Sequence, residues 1–159
     1  MMTLDRRNFL KVSGALAACS CIGVTGINGC SMIKGVSSTP AALPESFSVS
    51  NGTITLDLSK NAELKKAGQA VKFTVQDQQG AELKIIVIHA EPNTFKAFRD
   101  SCTHGGRELN YEHADKKFIC SSFGHSQFDL SGTRLKGPAE KPLTEFACTV
   151  ENDKISINI

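Results

Sequence analysis

Two short cysteine–histidine units constrain this chain most: Cys102-Thr103-His104 and Cys120-Ser121-Ser122-Phe123-Gly124-His125. Two thiolates and two imidazoles on separate stretches can share one metal centre only if the fold brings those stretches together. Two centres match the donor set. A zinc ion takes two Cys and two His as a closed tetrahedral site. A [2Fe–2S] cluster takes the same four when two His replace two Cys on one iron. The first centre would be structural and the second would carry electrons.

The rest of the chain narrows the function. A length of 159 residues suits one domain with an appendage. The formal net charge of +2 comes from Arg6, Arg7 and Lys11 against Asp5, so the remainder is formally neutral. No polybasic patch is left to hold nucleic acid. Of the six cysteines, Cys19, Cys21 and Cys30 lie in the first thirty residues. Once Cys102 and Cys120 are given to a metal centre, Cys148 stands alone, which argues against a disulfide framework. Cys148 falls in the alternating run Thr144-Glu145-Phe146-Ala147-Cys148-Thr149-Val150 and reads as a small residue on a strand.

The N-terminus reads as an address, residues 1–30. Arg6-Arg7-Asn8-Phe9-Leu10-Lys11 resembles the twin-arginine export signal, which moves proteins already folded. The uncharged run 12–27 is too short and too weakly apolar for a spanning helix and fits the signal's hydrophobic region. Both Leu16-Ala17-Ala18-Cys19 and Ile27-Asn28-Gly29-Cys30 resemble lipoprotein cleavage sites. Cys30 is the preferred lipidation residue because it leaves a hydrophobic region of realistic length. Ordinary cleavage and an uncleaved signal anchor are the alternatives. Residues 31–45, with Ser, Gly and two Pro and no periodicity, read as a flexible linker. Fully extended it would reach roughly 50 Å, at about 3.3–3.6 Å per residue.

From residue 46 onward the apolar residues recur with period two. Strands are predicted at 47–49, 53–57, 71–76, 83–89, 94–99, 117–120, 144–150 and 154–159, rich in Val, Ile, Thr and Phe. Asn51-Gly52, Gln79-Gly80 and Asn152-Asp153 mark tight turns. Residues 61–68 allow one helical turn closing at Gly68. No long amphipathic helix is visible, so an antiparallel sandwich or barrel is expected. The run Tyr111-Glu112-His113-Ala114-Asp115-Lys116-Lys117 reads as a solvated turn, and the charges from Asp100 to Glu108 as loop solvation. His89, at a strand end, reads as structural.

Asp100-Ser101-Cys102-Thr103-His104-Gly105-Gly106, Phe118-Ile119-Cys120 and Gly124-His125-Ser126-Gln127-Phe128-Asp129 resemble the two cluster loops of Rieske iron–sulfur proteins. Gly137-Pro138-Ala139-Glu140-Lys141-Pro142-Leu143 resembles the Gly-Pro-Ala loop that packs against the cluster in that family. The resemblance covers about residues 99–146. It implies an all-β fold of stacked antiparallel sheets over residues 46–159. A small cluster-binding subdomain would be formed by two loops, about 100–106 and 120–129. It also implies one [2Fe–2S] cluster per chain, with Cys102 and Cys120 on one iron and His104 and His125 on the other. Ser126 would hydrogen-bond a bridging sulfide. Neutral imidazoles leave such a site less negative than four thiolates do, hence roughly −150 to +300 mV against about −400 mV for plant-type ferredoxins.

Three departures stand out. The family's second unit is usually Cys-x-x-His-Gly-Ser, whereas here the loop is one residue longer and ends Gly124-His125-Ser126. The cysteine pair that bridges the loops in many respiratory members is replaced by Gly106 and Ser122. Phe128 stands where a Tyr often donates to a ligand sulfur.

The implied function is one-electron transfer, with no autonomous substrate site. The chain would serve a quinol:cytochrome c reductase-type complex, with cytochrome b or c subunits as partners, or a periplasmic oxidoreductase as its small subunit. It would act on the outer face of the cytoplasmic membrane or in the periplasm, held by a lipid or signal anchor. A Rieske oxygenase would need a mononuclear iron site with two further His and a carboxylate. Only His89 and His113 remain, in too short a chain. A structural Cys2His2 zinc domain without a redox role is the alternative.

Overall fold

The computed structural model describes residues 39–159. The predicted export signal, Cys30 and residues 31–38 of the predicted linker lie outside them.

Twelve strands follow one another: β1 (Phe47–Ser50), β2 (Thr53–Asp57), β3 (Ala70–Gln76), β4 (Glu82–Glu91), β5 (Thr94–Arg99), β6 (Leu109–Glu112), β7 (Lys117–Cys120), β8 (Gln127–Phe128), β9 (Arg134–Lys136), β10 (Glu145–Phe146), β11 (Cys148–Glu151) and β12 (Lys154–Asn158). They form three four-stranded sheets, in the orders β1-β2-β12-β11, β10-β5-β4-β3 and β6-β7-β8-β9. Every pairing between strands is antiparallel. The hairpins turn where the sequence indicates. Asn51 and Gly52, and Asn152 and Asp153, take the positive φ that two-residue hairpin turns require.

Two cores divide the sheets into layers. Ile54 and Leu56 of β2 and Ile155 and Ile157 of β12 pack against Val71, Phe73 and Val75 of β3 and Ile85 and Val87 of β4. The opposite face of that middle sheet, through Ala70, Ile86, Ile88 and Phe98, meets Leu109, Tyr111, Phe118, Cys120 and Phe128 of the third sheet. Covered on both faces, β4 reads Ile85-Ile86-Val87-Ile88 without alternation, and all four residues are fully buried. The outer sheets each bury one face, and β2 and β12 keep the period of two. The second core is the one that reaches the cysteine–histidine loops.

The predicted strand 144–150 is two strands in different sheets. β10 pairs with β5 and β11 with β12, and the chain changes sheet at Ala147, whose carbonyl accepts from Asn158 N at 3.0 Å. The predicted linker ends sooner than its composition implies. Ala42 is buried, its N–H donates to Lys72 O at 2.8 Å, and Lys72 N donates to Pro40 O at 2.9 Å. Thr39 Oγ1 accepts from Tyr111 N at 2.8 Å, so this strap touches β6 of the third sheet as well. The predicted solvated turn at 111–117 begins instead as strand β6, with Tyr111 buried against Phe118. His113 docks on Gly68 O through Nδ1. Among the described residues no helix is long and apolar enough to cross a membrane.

Candidate metal centre

The first loop leaves β5 through Asp100, which is buried and anchored on three sides. Its Oδ1 accepts from Leu109 N at 2.6 Å, its Oδ2 lies 3.1 Å from Lys72 Nζ, and its own N–H donates to Lys84 O at 2.8 Å. The expectation of loop solvation is corrected here: Asp100 is a buried brace, because Leu109 N at the far root of the loop and the Lys72 ammonium on β3 converge on it, and only a carboxylate satisfies both. Beyond it the loop closes tightly. Cys102 N donates to Arg107 O at 2.7 Å and Gly106 N to Cys102 O at 2.8 Å.

The second loop starts at Cys120, the last residue of β7, whose N–H donates to Ser126 O at 2.8 Å. Inside it a turn runs from Ser122 to His125, closed by His125 N to Ser122 O at 3.0 Å, with His125 at φ +40°. That turn absorbs the additional residue. Ser121 N donates to Glu108 O at 2.9 Å and so ties the second loop to the first.

The segment 137–143 clamps both. Thr103 Oγ1 donates to Lys141 O at 2.7 Å, and Ala139 N donates to Ser126 Oγ at 3.0 Å. Gly137 has φ +95°, and a Cβ there would stand 2.5 Å from Ser126 Cα and 2.9 Å from Ser126 N. Backbone thus presses on backbone, which no other residue type allows. Gly124 makes the matching approach from the second loop, its α-carbon against the Pro138 ring.

These braces bring Cys102 and Cys120 together at the edge of the second core, both buried. Burial pushes the Cys102 thiol above its ordinary value. The His104 N–H works the other way, the neighbouring Cys120 thiol adds to the rise, and the Ser126 hydroxyl favours the thiolate. Cys120 Sγ accepts from Ser122 N at 3.4 Å and shares a hydrogen bond with Ser122 Oγ at 3.0 Å. His104 and His125 are exposed on the same two loops. Ser126 and Phe128 are fully buried beneath them. Cys148 lies elsewhere, on β11, donating to Phe95 O at 2.9 Å. No disulfide joins the described cysteines, Cys102, Cys120 and Cys148.

The model of the Rieske [2Fe–2S] domain matches residues 55–147, from β2 through the clamping segment. The chain belongs to the Rieske [2Fe–2S] family. It is 33% identical over 99 residues to the cytochrome b6-f complex iron-sulfur subunit 1 of Nostoc sp. strain PCC 7120, covering 62% of this chain and 55% of that protein. The cytochrome b6-f complex iron-sulfur subunit of Chlorobaculum thiosulfatiphilum is 31% identical over 77 residues, 48% of this chain and 41% of that one. The chain therefore spans about half the length of the curated relatives it matches. Among solved structures, the cyanobacterial plasma membrane Rieske protein PetC3 from Synechocystis PCC 6803 superposes with a TM-score of 0.50 at 27% identity. That superposition covers 62% of this chain and 93% of that one.

A Rieske domain carries one [2Fe–2S] cluster, and the residues present fit it. Two buried thiols side by side resist ionising together unless positive charge neutralises them, and a bound metal removes their protons outright. Donors from Ser122 and Ser126 already aim at the sulfurs, as second-layer partners do. The family match gives the zinc alternative no support. Sequence reasoning missed Ser122, Asp100 and its partner Lys72. Lys72 stands thirty residues from the loops, and nothing local marks it.

Proposed function

We propose that this chain is a one-electron carrier whose cluster is held by Cys102 and Cys120 on one iron and by His104 and His125 on the other. One observation carries the reading: two loops, braced by a third segment, bury a pair of thiols while leaving an imidazole of each loop exposed. The cluster supplies the one-electron chemistry. The buried side isolates the sulfurs from water, and the exposed side lets a partner approach an imidazole edge. Ser122 and Ser126 hold donors at the sulfurs and stabilise the added negative charge. Phe128 contributes apolar packing and no donor.

The likeness to cytochrome b6-f iron-sulfur subunits supports service in a quinol:cytochrome-type complex, with cytochrome b or c subunits as partners. A small subunit of a periplasmic oxidoreductase is the second reading. The Arg6-Arg7 motif supports export of the folded protein to the outer face of the cytoplasmic membrane, with Cys30 as the lipidated residue.

Visible absorption and electron paramagnetic resonance test the ligand set. Cys102→Ser, His104→Ala, Cys120→Ser and His125→Ala each lose the cluster, while His113→Ala and Cys148→Ser keep it. A normal spectrum from His125→Ala overturns the second imidazole. Fractionation tests the address: Arg6→Lys with Arg7→Lys leaves the precursor in the cytoplasm, and undiminished export of that double variant refutes the twin-arginine route.

A further inference from the structure

Phe123 is the most exposed large apolar side chain of the described residues, at 101%. It sits on the additional residue's turn in the second loop, two positions before His125. A bare aromatic ring in water is normally a cost with no return, and here it stands on a hydrogen-bonded turn. The turn beneath it is closed by His125 N to Ser122 O. The root is fixed by Cys120 N to Ser126 O, and one flank rests on Pro138 through Gly124. The backbone beneath the ring is thus already ordered, so burying the ring against a partner costs little backbone entropy, as in an interface anchor.

The charges on the surrounding segments are mostly positive. Arg134 Nη2 donates to Gly137 O at 2.8 Å, which seats its guanidinium on the clamping segment. Arg107 and Lys141 lie on the first loop and the clamp, joined to Cys102 N and Thr103 Oγ1 through their carbonyls. Lys136 ends β9 beside Gly137. None of these four has an ion-pair partner among the described residues, whereas Lys72, Lys84, Lys96 and Lys117 are all paired. Against them stand Glu140 and the exposed Glu108, the latter already paired with Lys84. A second copy would meet like charge with like charge.

We propose that Phe123 anchors the chain to its redox partner, and that the partner offers an apolar socket rimmed by carboxylates. The inference rests on the electron-carrier reading and names the chemistry of the protein that reads this tip. Insertion of the ring expels water beside His125 and sets the imidazole edges against the partner. The cationic rim steers the encounter and fixes its orientation.

The test uses host membranes from a strain lacking its own copy, resupplied with the full-length chain. Wild type, Phe123→Ser, Phe123→Trp and Arg107→Gln with Lys141→Gln are compared. Phe123→Ser keeps the cluster's absorption, paramagnetic spectrum and potential, yet delivers electrons to membrane cytochromes at least tenfold more slowly. Phe123→Trp restores the rate. The charge variant is slower only at low salt and flattens the salt dependence. A photo-crosslinking phenylalanine analogue at position 123 joins to a haem-bearing subunit at a peptide flanked by Asp or Glu. Wild-type rates in Phe123→Ser, a lipid adduct or a self-adduct each overturn the proposal. A cluster-free wild-type protein would instead sink the electron-carrier reading itself, which keeps the two failures distinct.

Discussion

Replacing Asp100 by Asn changes one charge beside the cluster loop and little else. The amide oxygen can still accept from Leu109 N, the bond made at 2.6 Å by the carboxylate. Lys72 keeps a weaker partner, Glu108 Oε2 at 3.9 Å, and is 15% exposed. Asp100 precedes Cys102 by two residues, which puts the α-carbons at most about 7 Å apart and makes about 10 Å the working scale for the carboxylate–sulfur separation. A unit charge at about 10 Å acts with about 1.7 kcal/mol at an effective dielectric constant near 20, and half that where water enters. For a one-electron couple this is about 35–70 mV. Adding an electron to the cluster is easier once a nearby negative charge is gone, so Asp100→Asn raises the potential. Lys72→Gln leaves the carboxylate uncompensated and lowers it, and the double variant returns close to wild type. Protein-film voltammetry on samples of equal cluster content measures all four proteins. A loosened loop would move both single variants the same way. Shifts of the same sign, or none, refute the electrostatic argument and leave the pair a purely structural brace.

Phe128→Tyr adds a hydroxyl in the buried layer under the cysteines. Where it donates to a ligand sulfur, at up to about 1.5–3 kcal/mol for a charge-assisted bond, voltammetry records a rise of several tens of millivolts; an unchanged potential refutes the tuning role. Gly137→Ala drives a Cβ into Ser126 at a backbone angle of +95° and destabilises by about 2–4 kcal/mol, from strain and overpacking combined. Gly80→Ala has the same hand of backbone but open space, and thermal melts should show about 1 kcal/mol. Burial, and next Glu145, raise the Cys148 thiol above its ordinary value near 9.0. An unfolded thiol ionises first, so this contribution is full below that value and is lost as pH rises through the folded one. Melting temperature should fall less steeply above pH 9 in Cys148→Ala than in wild type. Removing the cluster with acid and chelator should speed amide exchange across β6 to β9 and leave β2, β4 and β12 protected; uniform loss of protection refutes a separable metal-dependent layer.

What the sequence made legible follows from where each residue's partners lie. Most strands of the first two sheets announced themselves because they run four or more residues, with β2 and β12 burying one face in alternation, whereas β10, with two residues, did not. β8 and β9 have two and three residues, too short for any period to emerge. β6 was hidden by composition: Asn110 and Glu112 alternate with buried Leu109 and Tyr111, but the charged turn after it dominates the window. The four candidate ligands were readable because metal chemistry fixes residue type and spacing locally. Their bracing was not, since Lys72 reaches Asp100 and Thr39 reaches Tyr111 across the fold. The division has a physical origin. The first core closes with side chains alone, Ile, Leu, Val and Phe from long strands. The second closes on Cys102 and Cys120, beneath strands too short to hold a sheet by themselves. That layer packs Phe98, Phe118 and Phe128 against the two thiols. The same braces that let a small sheet persist also fix the donors at its sulfurs, so stability and redox tuning depend on one set of contacts.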